Sequence, residues 1–177
     1  MGWKNVKEHY SIGHIVQVTH KGICIGSPYI HDIIVIADGR IVKRSERFGN
    51  ADITRYQNEM DADLATLRRL IDTPDTFTVS LPIFTYEGGD IVEEACEEYG
   101  YPNVTHAGHC MYENYFSQDK AEVIIWAKRN SAAGVELVSD SIADVETKLA
   151  ERKERLRKYQ DNLAKLSADY PDATGDA

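Results

Sequence analysis

The clearest pattern of apolar residues lies in the last third of the chain, where they recur alternately three and four positions apart. This spacing is the heptad repeat of a coiled-coil helix, which buries one stripe against another surface. It predicts one long helix over residues 117–168, followed by an acidic, disordered tail over residues 169–177. Gly134 leaves open whether that helix is split. The stripe, called the seam below, spans residues 135–166 and consists of Val135, Val138, Ile142, Val145, Leu149, Arg152, Leu156, Tyr159, Leu163 and Leu166.

The first part of the chain alternates short β-branched runs with turn residues. Asp38 and Gly39 separate residues 33–36 from residues 40–43, and this dipeptide favours the type I′ turn of a β-hairpin. A second hairpin is predicted around His20, Lys21 and Gly22. The pattern therefore predicts an antiparallel β-meander over residues 13–45, either a small curled sheet or an SH3-like half barrel.

The middle of the chain mixes helical and strand patterns. Apolar residues at helical spacing predict a helix over residues 52–71, and residues 76–81 read as a strand. Asp90 followed by Glu93 resembles a helix N-terminus, and Gly100 fits the end of a helix over residues 90–99. The predicted fold class is α+β, with a globular body over residues 1–116 followed by the long helix.

Charge is unevenly distributed along the 177 residues, whose formal net charge is −9. Residues 50–118 contain three Lys/Arg against thirteen Asp/Glu, whereas residues 1–49 are weakly basic. This balance disfavours general nucleic-acid binding, which needs a basic surface. It favours a basic protein partner, which would contact six acids of the middle region: Asp61, Asp63, Glu93, Glu94, Glu97 and Glu98. The alternative is that these acids form an ordinary solvated face.

Cysteine use and hydropathy indicate a soluble cytoplasmic protein. No apolar run approaches the roughly 18 residues that a membrane span needs, and the first residues lack the apolar stretch of a signal peptide. Cys24, Cys96 and Cys110 are too few and too scattered for a disulfide framework, so free thiols are expected.

Two imidazoles and a thiol lie close together in the sequence, at His106, His109 and Cys110, and Cys96 is a fourth candidate ligand. Their spacing matches none of the common zinc patterns. No phosphate-binding loop, dinucleotide fingerprint, G-x-S-x-G or H-E-x-x-H motif is present. The sequence therefore predicts no catalytic residues, metal or cofactor. The alternatives are a small metal- or thiol-dependent enzyme built on this loop, or a nucleic-acid-binding regulator using the basic N-terminal sheet.

The seam has two predicted partners. One is the chain's own helix face at Ile53, Tyr56, Met60 and Leu64, and the other is a second copy, most simply in a homodimer. A parallel in-register pair would place Lys148 beside Lys153 of the other chain and stack Arg152 at a core position. An antiparallel or staggered pair is therefore favoured.

Three stretches carry a resemblance to a known class of proteins: residues 85–90 (TYEGGD), residues 101–106 (YPNVTH) and residues 117–130. In these, and in motif order over residues 50–150, the chain resembles small uncharacterised accessory proteins of phages and prophages. The resemblance implies a bacterial cytoplasm and an accessory role, such as inhibiting a host defence complex by occupying its surface. An anti-CRISPR inhibitor is one concrete form. The resemblance gives no family activity or catalytic residues to carry over to this chain.

Overall fold

A computed structural model of the chain describes residues 1–46 and 50–171. It confirms the α+β fold class, with an N-terminal four-stranded meander, helices after it and a long C-terminal helix. Residues Met1–Ala127 form one compact unit, and a second unit begins at Lys128. The elements in chain order are α1 Trp3–His9, β1 Ile15–Thr19, β2 Gly22–Gly26, β3 Ile34–Ala37, β4 Arg40–Lys43, α2 Ala51–Ala62, α3 Leu64–Asp72, β5 Leu81–Glu87, β6 Asp90–Cys96, β7 Asn103–Val104, β8 Cys110–Met111 and α4 Lys120–Asp169.

The meander forms as predicted, with the strand order β1-β2-β3-β4 and antiparallel pairing throughout. Asp38 and Gly39 have φ of 53° and 71°, as a type I′ turn requires of both central residues. Helices α1, α2 and α3 add their apolar side chains to the sheet. The resulting core contains Trp3, Val6, Tyr10, Ile12, Val16, Ile23, Ile25, Ile34, Ile36, Ile41, Ile53, Tyr56, Met60, Leu67 and Leu70.

The helix predicted over residues 52–71 is wrong as a single element. It divides at Asp63, whose backbone is non-helical (φ −142°) and whose side chain accepts a hydrogen bond from the Thr66 amide at 2.9 Å. An aspartate that caps the next helix competes with continuation of the previous one, because its carboxylate satisfies an amide at the helix start. The break leaves Leu64 half exposed, whereas Leu67 and Leu70 are buried.

Two further predictions for the middle region are wrong. Residues 76–81 are not a strand, since β5 begins only at Leu81, and residues 90–99 are not a helix, since β6 occupies Asp90–Cys96. Gly88 and Gly89 form a two-residue turn that joins β5 to β6, and Gly88 has a φ of 57°. Glycine accepts this conformation without steric cost, so the hairpin turn prevails over the weak helix-capping signal of Asp90.

The β5–β6 hairpin has a small core of its own. Ile83, Cys96, Met111 and Phe116 are its buried members, and Leu81 packs against them. The short strands β7 and β8 follow the hairpin, in a segment without helical or strand periodicity. Single β-bridges join Phe84 of β5 to Ser117 and Cys96 of β6 to Thr105. The segment that contains β7 and β8 is therefore hydrogen-bonded to both strands of the hairpin.

Helix α4 continues through Gly134 without a break over its 50 residues, which corresponds to a length of about 75 Å. Ser117 and Asp119 cap its start, since their side chains accept hydrogen bonds from the amides of Asp119 and Ala121. The predicted tail over residues 169–177 lies mostly outside the described residues: Asp169 ends the helix, and residues 172–177 are not described.

Candidate association and partner-binding surfaces

The seam is an exposed apolar stripe on α4. Its nine uncharged members are between 51% (Leu149) and 68% (Val135) exposed, and every described residue from Lys128 onward is exposed. Residues alternately three and four positions apart lie along one side of a helix, so these side chains form a continuous strip. Contiguous exposed apolar surface of this extent is uncommon on soluble monomeric proteins.

The helix face proposed as the seam's intramolecular partner is already occupied. Ile53, Tyr56 and Met60 are at most 2% exposed, because they pack into the core with the meander. Leu64 is half exposed, but it lies beyond the break at Asp63 and belongs to α3. These four residues therefore do not form an open apolar face.

Four of the six predicted partner-binding acids are engaged within the chain. Asp61 forms a bidentate ion pair with Arg44, in which the two guanidinium NH groups lie 2.6 and 2.7 Å from the two carboxylate oxygens. These hydrogen bonds lower the pKa of Asp61. Asp63 caps α3. Glu97 lies 2.7 Å from the Lys4 ammonium, whose hydrogen bond lowers the pKa of Glu97.

The fourth engaged acid is Glu94, whose Oε1 accepts a hydrogen bond from His109 Nδ1 at 2.9 Å. Its other carboxylate oxygen is buried and has no hydrogen-bond partner within the described part of the chain. Glu93 and Glu98 are exposed. Because neighbouring side chains on a strand point to opposite faces, Glu93 and Glu94 do not share one surface.

The structure does not bring the candidate metal ligands together. His106 stacks on Phe77, with ring centroids 3.8 Å apart, and its Nε2 lies 3.1 Å from the carbonyl oxygen of Val79. Cys96 is fully buried beside Asn103, while His109 is bound to Glu94. Within residues 1–46 and 50–171, no group of three His, Cys, Asp or Glu side chains is placed to hold a metal ion.

Cys110 lacks the surroundings of an activated nucleophile. Burial raises the pKa of the Cys110 thiol, which keeps it protonated near neutral pH. A catalytic thiol needs the opposite effect, since the thiolate is the attacking species.

No periodic pattern predicts the tyrosine-rich surface beside the small core, which consists of Tyr99 and Tyr101. Tyr99 and Tyr101 pack edge-on or tilted against buried Phe116, yet they are 38% and 58% exposed. Tyr101 also lines a cleft of about 430 Å³, together with Glu98, His106 and other residues. These residues come from a stretch without periodic hydrophobicity, so only the folded chain shows that they form one surface. Exposed tyrosines are enriched in protein interfaces.

No family model, curated protein sequence or solved structure gives a significant match to the chain. In the described residues, no helix combines the length and the apolar character needed to cross a membrane.

Proposed function

We propose that the protein is a non-enzymatic interaction module that associates with itself through the seam and binds a basic surface of another protein complex. The exposed seam carries this proposal. Full burial of a Val, Leu or Ile side chain contributes about 1.5 to 3 kcal/mol. Nine uncharged seam residues at least half exposed therefore offer a strong driving force for association.

The partner-binding part of the proposal rests on charge and on exposed aromatic rings. The middle region is strongly acidic, and Glu93 and Glu98 present exposed carboxylates. Tyr99 and Tyr101 follow Glu98 closely in the sequence, and their partly exposed rings would contact Lys or Arg side chains of a partner. Complementary charge of this kind acts mainly on the association rate.

The biological setting in the proposal comes from the resemblance to phage and prophage accessory proteins. In that setting the protein works in the cytoplasm of a bacterial host and blocks a defence complex, as an anti-CRISPR protein does. Expression of the protein in bacteria with an active defence system should raise the plating efficiency of a targeted phage. Unchanged plating on strains carrying different defence systems, CRISPR systems included, would contradict this part.

Sedimentation equilibrium of the purified chain tests self-association. A dimer at tens of micromolar is expected, and a monomer at that concentration would refute the proposal. Once a partner is known, its association rate should fall as salt rises, because screening weakens charge attraction. The variant E93Q/E98Q should slow association at low salt more than the control E87Q, which removes a single exposed acid at the end of β5.

A further inference from the structure

The seam of one chain is complementary to the seam of a second copy that runs in the opposite direction. We propose that two copies pair antiparallel in one register, with Leu149 of one chain opposite Arg152 of its partner; this rests on the proposed self-association. In that register all ten seam positions face seam positions of the other chain. The layers on one side of the centre are Val135 with the partner's Leu166, Val138 with the partner's Leu163, Ile142 with the partner's Tyr159, Val145 with the partner's Leu156, and Leu149 with the partner's Arg152.

Side-chain size supports this register. The first four seam residues are valine or isoleucine, and the last four are leucine or tyrosine. Antiparallel pairing therefore matches a short side chain with a longer one in four of the five kinds of layer. A parallel pair would place valine on valine at one end and leucine or tyrosine on itself at the other. Cores pack best when large residues face small ones, so the antiparallel pair fills its layers more evenly.

The residues that flank the seam select the same register among antiparallel ones. In the proposed pairing, Glu146 lies beside the partner's Lys153, and the dimer symmetry repeats this contact. A shift by one heptad in one direction places Glu146 beside the partner's Glu146 and Lys148 beside the partner's Lys148. A shift in the other direction places Lys153 and Arg155 each beside its own copy. Both shifts also leave seam residues without a facing layer.

One flanking contact is unfavourable in the proposed register, since Lys148 lies beside the partner's Arg155. These side chains are exposed and long, and Asp144 and Glu151 precede them by four positions on their own chain. Such acids offset part of the repulsion. Arg152 lies at the centre, where its aliphatic stem covers the partner's Leu149 while its guanidinium reaches solvent.

Disulfide trapping in the full chain tests the register directly. All variants carry C110S, because Cys24 and Cys96 are buried whereas Cys110 is partly accessible. A mixture of V145C and L156C chains should give a cross-linked dimer under mild oxidation, and neither chain alone should do so. Self-linking of V145C would indicate a parallel pair, and linking of V145C to L149C or L163C would indicate a shifted register. Any of these three results would overturn the proposal.

Reversing the charge of Lys153 is an independent test, because it should change the dimer affinity in opposite directions for antiparallel and parallel pairs. K153E should weaken the antiparallel dimer about threefold to tenfold, because it faces the partner's Glu146. The same change would tighten a parallel dimer, where it faces the partner's Lys148, and that outcome would overturn the proposal. The double variant E146K/K153E should restore the original affinity. A wild-type monomer in sedimentation would refute self-association itself, whereas a dimer with another cross-linking pattern would refute only the register.

Discussion

Replacing Leu149 and Leu156 together by aspartate should convert the protein to a monomer and leave the meander folded. Both leucines belong to the central layers of the seam and are 51% and 56% exposed in the single chain. The first unit ends at Ala127, so neither leucine contributes to its core. The substitution therefore separates the association of α4 from the folding of the first unit.

The size of the effect follows from the surface that association would still bury. Full burial of a leucine is worth about 1.5 to 3 kcal/mol, so the exposed half of each side chain accounts for about 0.8 to 1.5 kcal/mol. A dimer contains four of these leucines, which gives about 3 to 6 kcal/mol. This corresponds to about two to four orders of magnitude in Kd. Aspartate carboxylates in the interface would add a desolvation cost of the same sign.

Sedimentation velocity over a wide concentration range measures the change in Kd, and circular dichroism reports whether the helix and the sheet persist. L137D combined with A150D is the matched control, because it adds the same charge to α4 outside the seam and Leu137 is 69% exposed. The control should remain a dimer. Retention of the dimer by L149D/L156D, or its loss in the control, would refute the assignment of the interface to the seam.

Three further results are expected. Hydrogen bonds from Lys21 and Lys43 lower the pKa of Asp32 to about 2. The stability that the ionised Asp32 contributes is therefore present above its usual pKa of 3.8 and is lost as pH falls through about 2. An NMR titration should show this pKa and its rise when either lysine is replaced by alanine. G108A should lower stability by about 1 to 3 kcal/mol, because φ is +87° and the added Cβ would lie 2.4 Å from a valine side chain of β1. G134A should instead stabilise helix α4 by about 0.5 to 1 kcal/mol. Urea unfolding measures the free energy of unfolding of both variants. Purified protein should contain no stoichiometric zinc by elemental analysis, and H106A/H109A should remain folded; one zinc per chain that is lost in the double variant would contradict the expectation.

Patterns repeated over many residues were sufficient to predict several elements. The seam repeats over more than four heptads, and a helix over its whole length is what the structure contains. The meander was also predictable, because the Asp38–Gly39 turn and the β-branched runs around it favour the same hairpin. In both cases the local preference of the residues and the spacing of the apolar positions agree, and such agreement makes a sequence specify one structure.

Short signals failed where tertiary contacts decided between alternatives. Asp90 begins a strand because the glycine turn pairs β6 with β5, and that pairing buries Cys96 beside Ile83 and Phe116. The helix-capping signal of Asp90 is worth about 1 kcal/mol, which is less than the pairing and burial of two seven-residue strands provide. The reverse holds at Asp63, where a local capping hydrogen bond prevails over apolar spacing that alone would continue the helix.

The candidate surfaces divide in the same way. The seam is determined by the sequence itself, since a helix places residues three and four positions apart on one side whatever surrounds it. Only the tertiary structure decides which of the predicted partner-binding acids are engaged within the chain. Arg44 pairs with Asp61, 17 positions away, and Lys4 pairs with Glu97, 93 positions away. Tyr99 and Tyr101 become a surface only because Phe116 lies beneath them. Contacts between residues distant in sequence depend on how the chain folds back on itself, and no local periodicity records them.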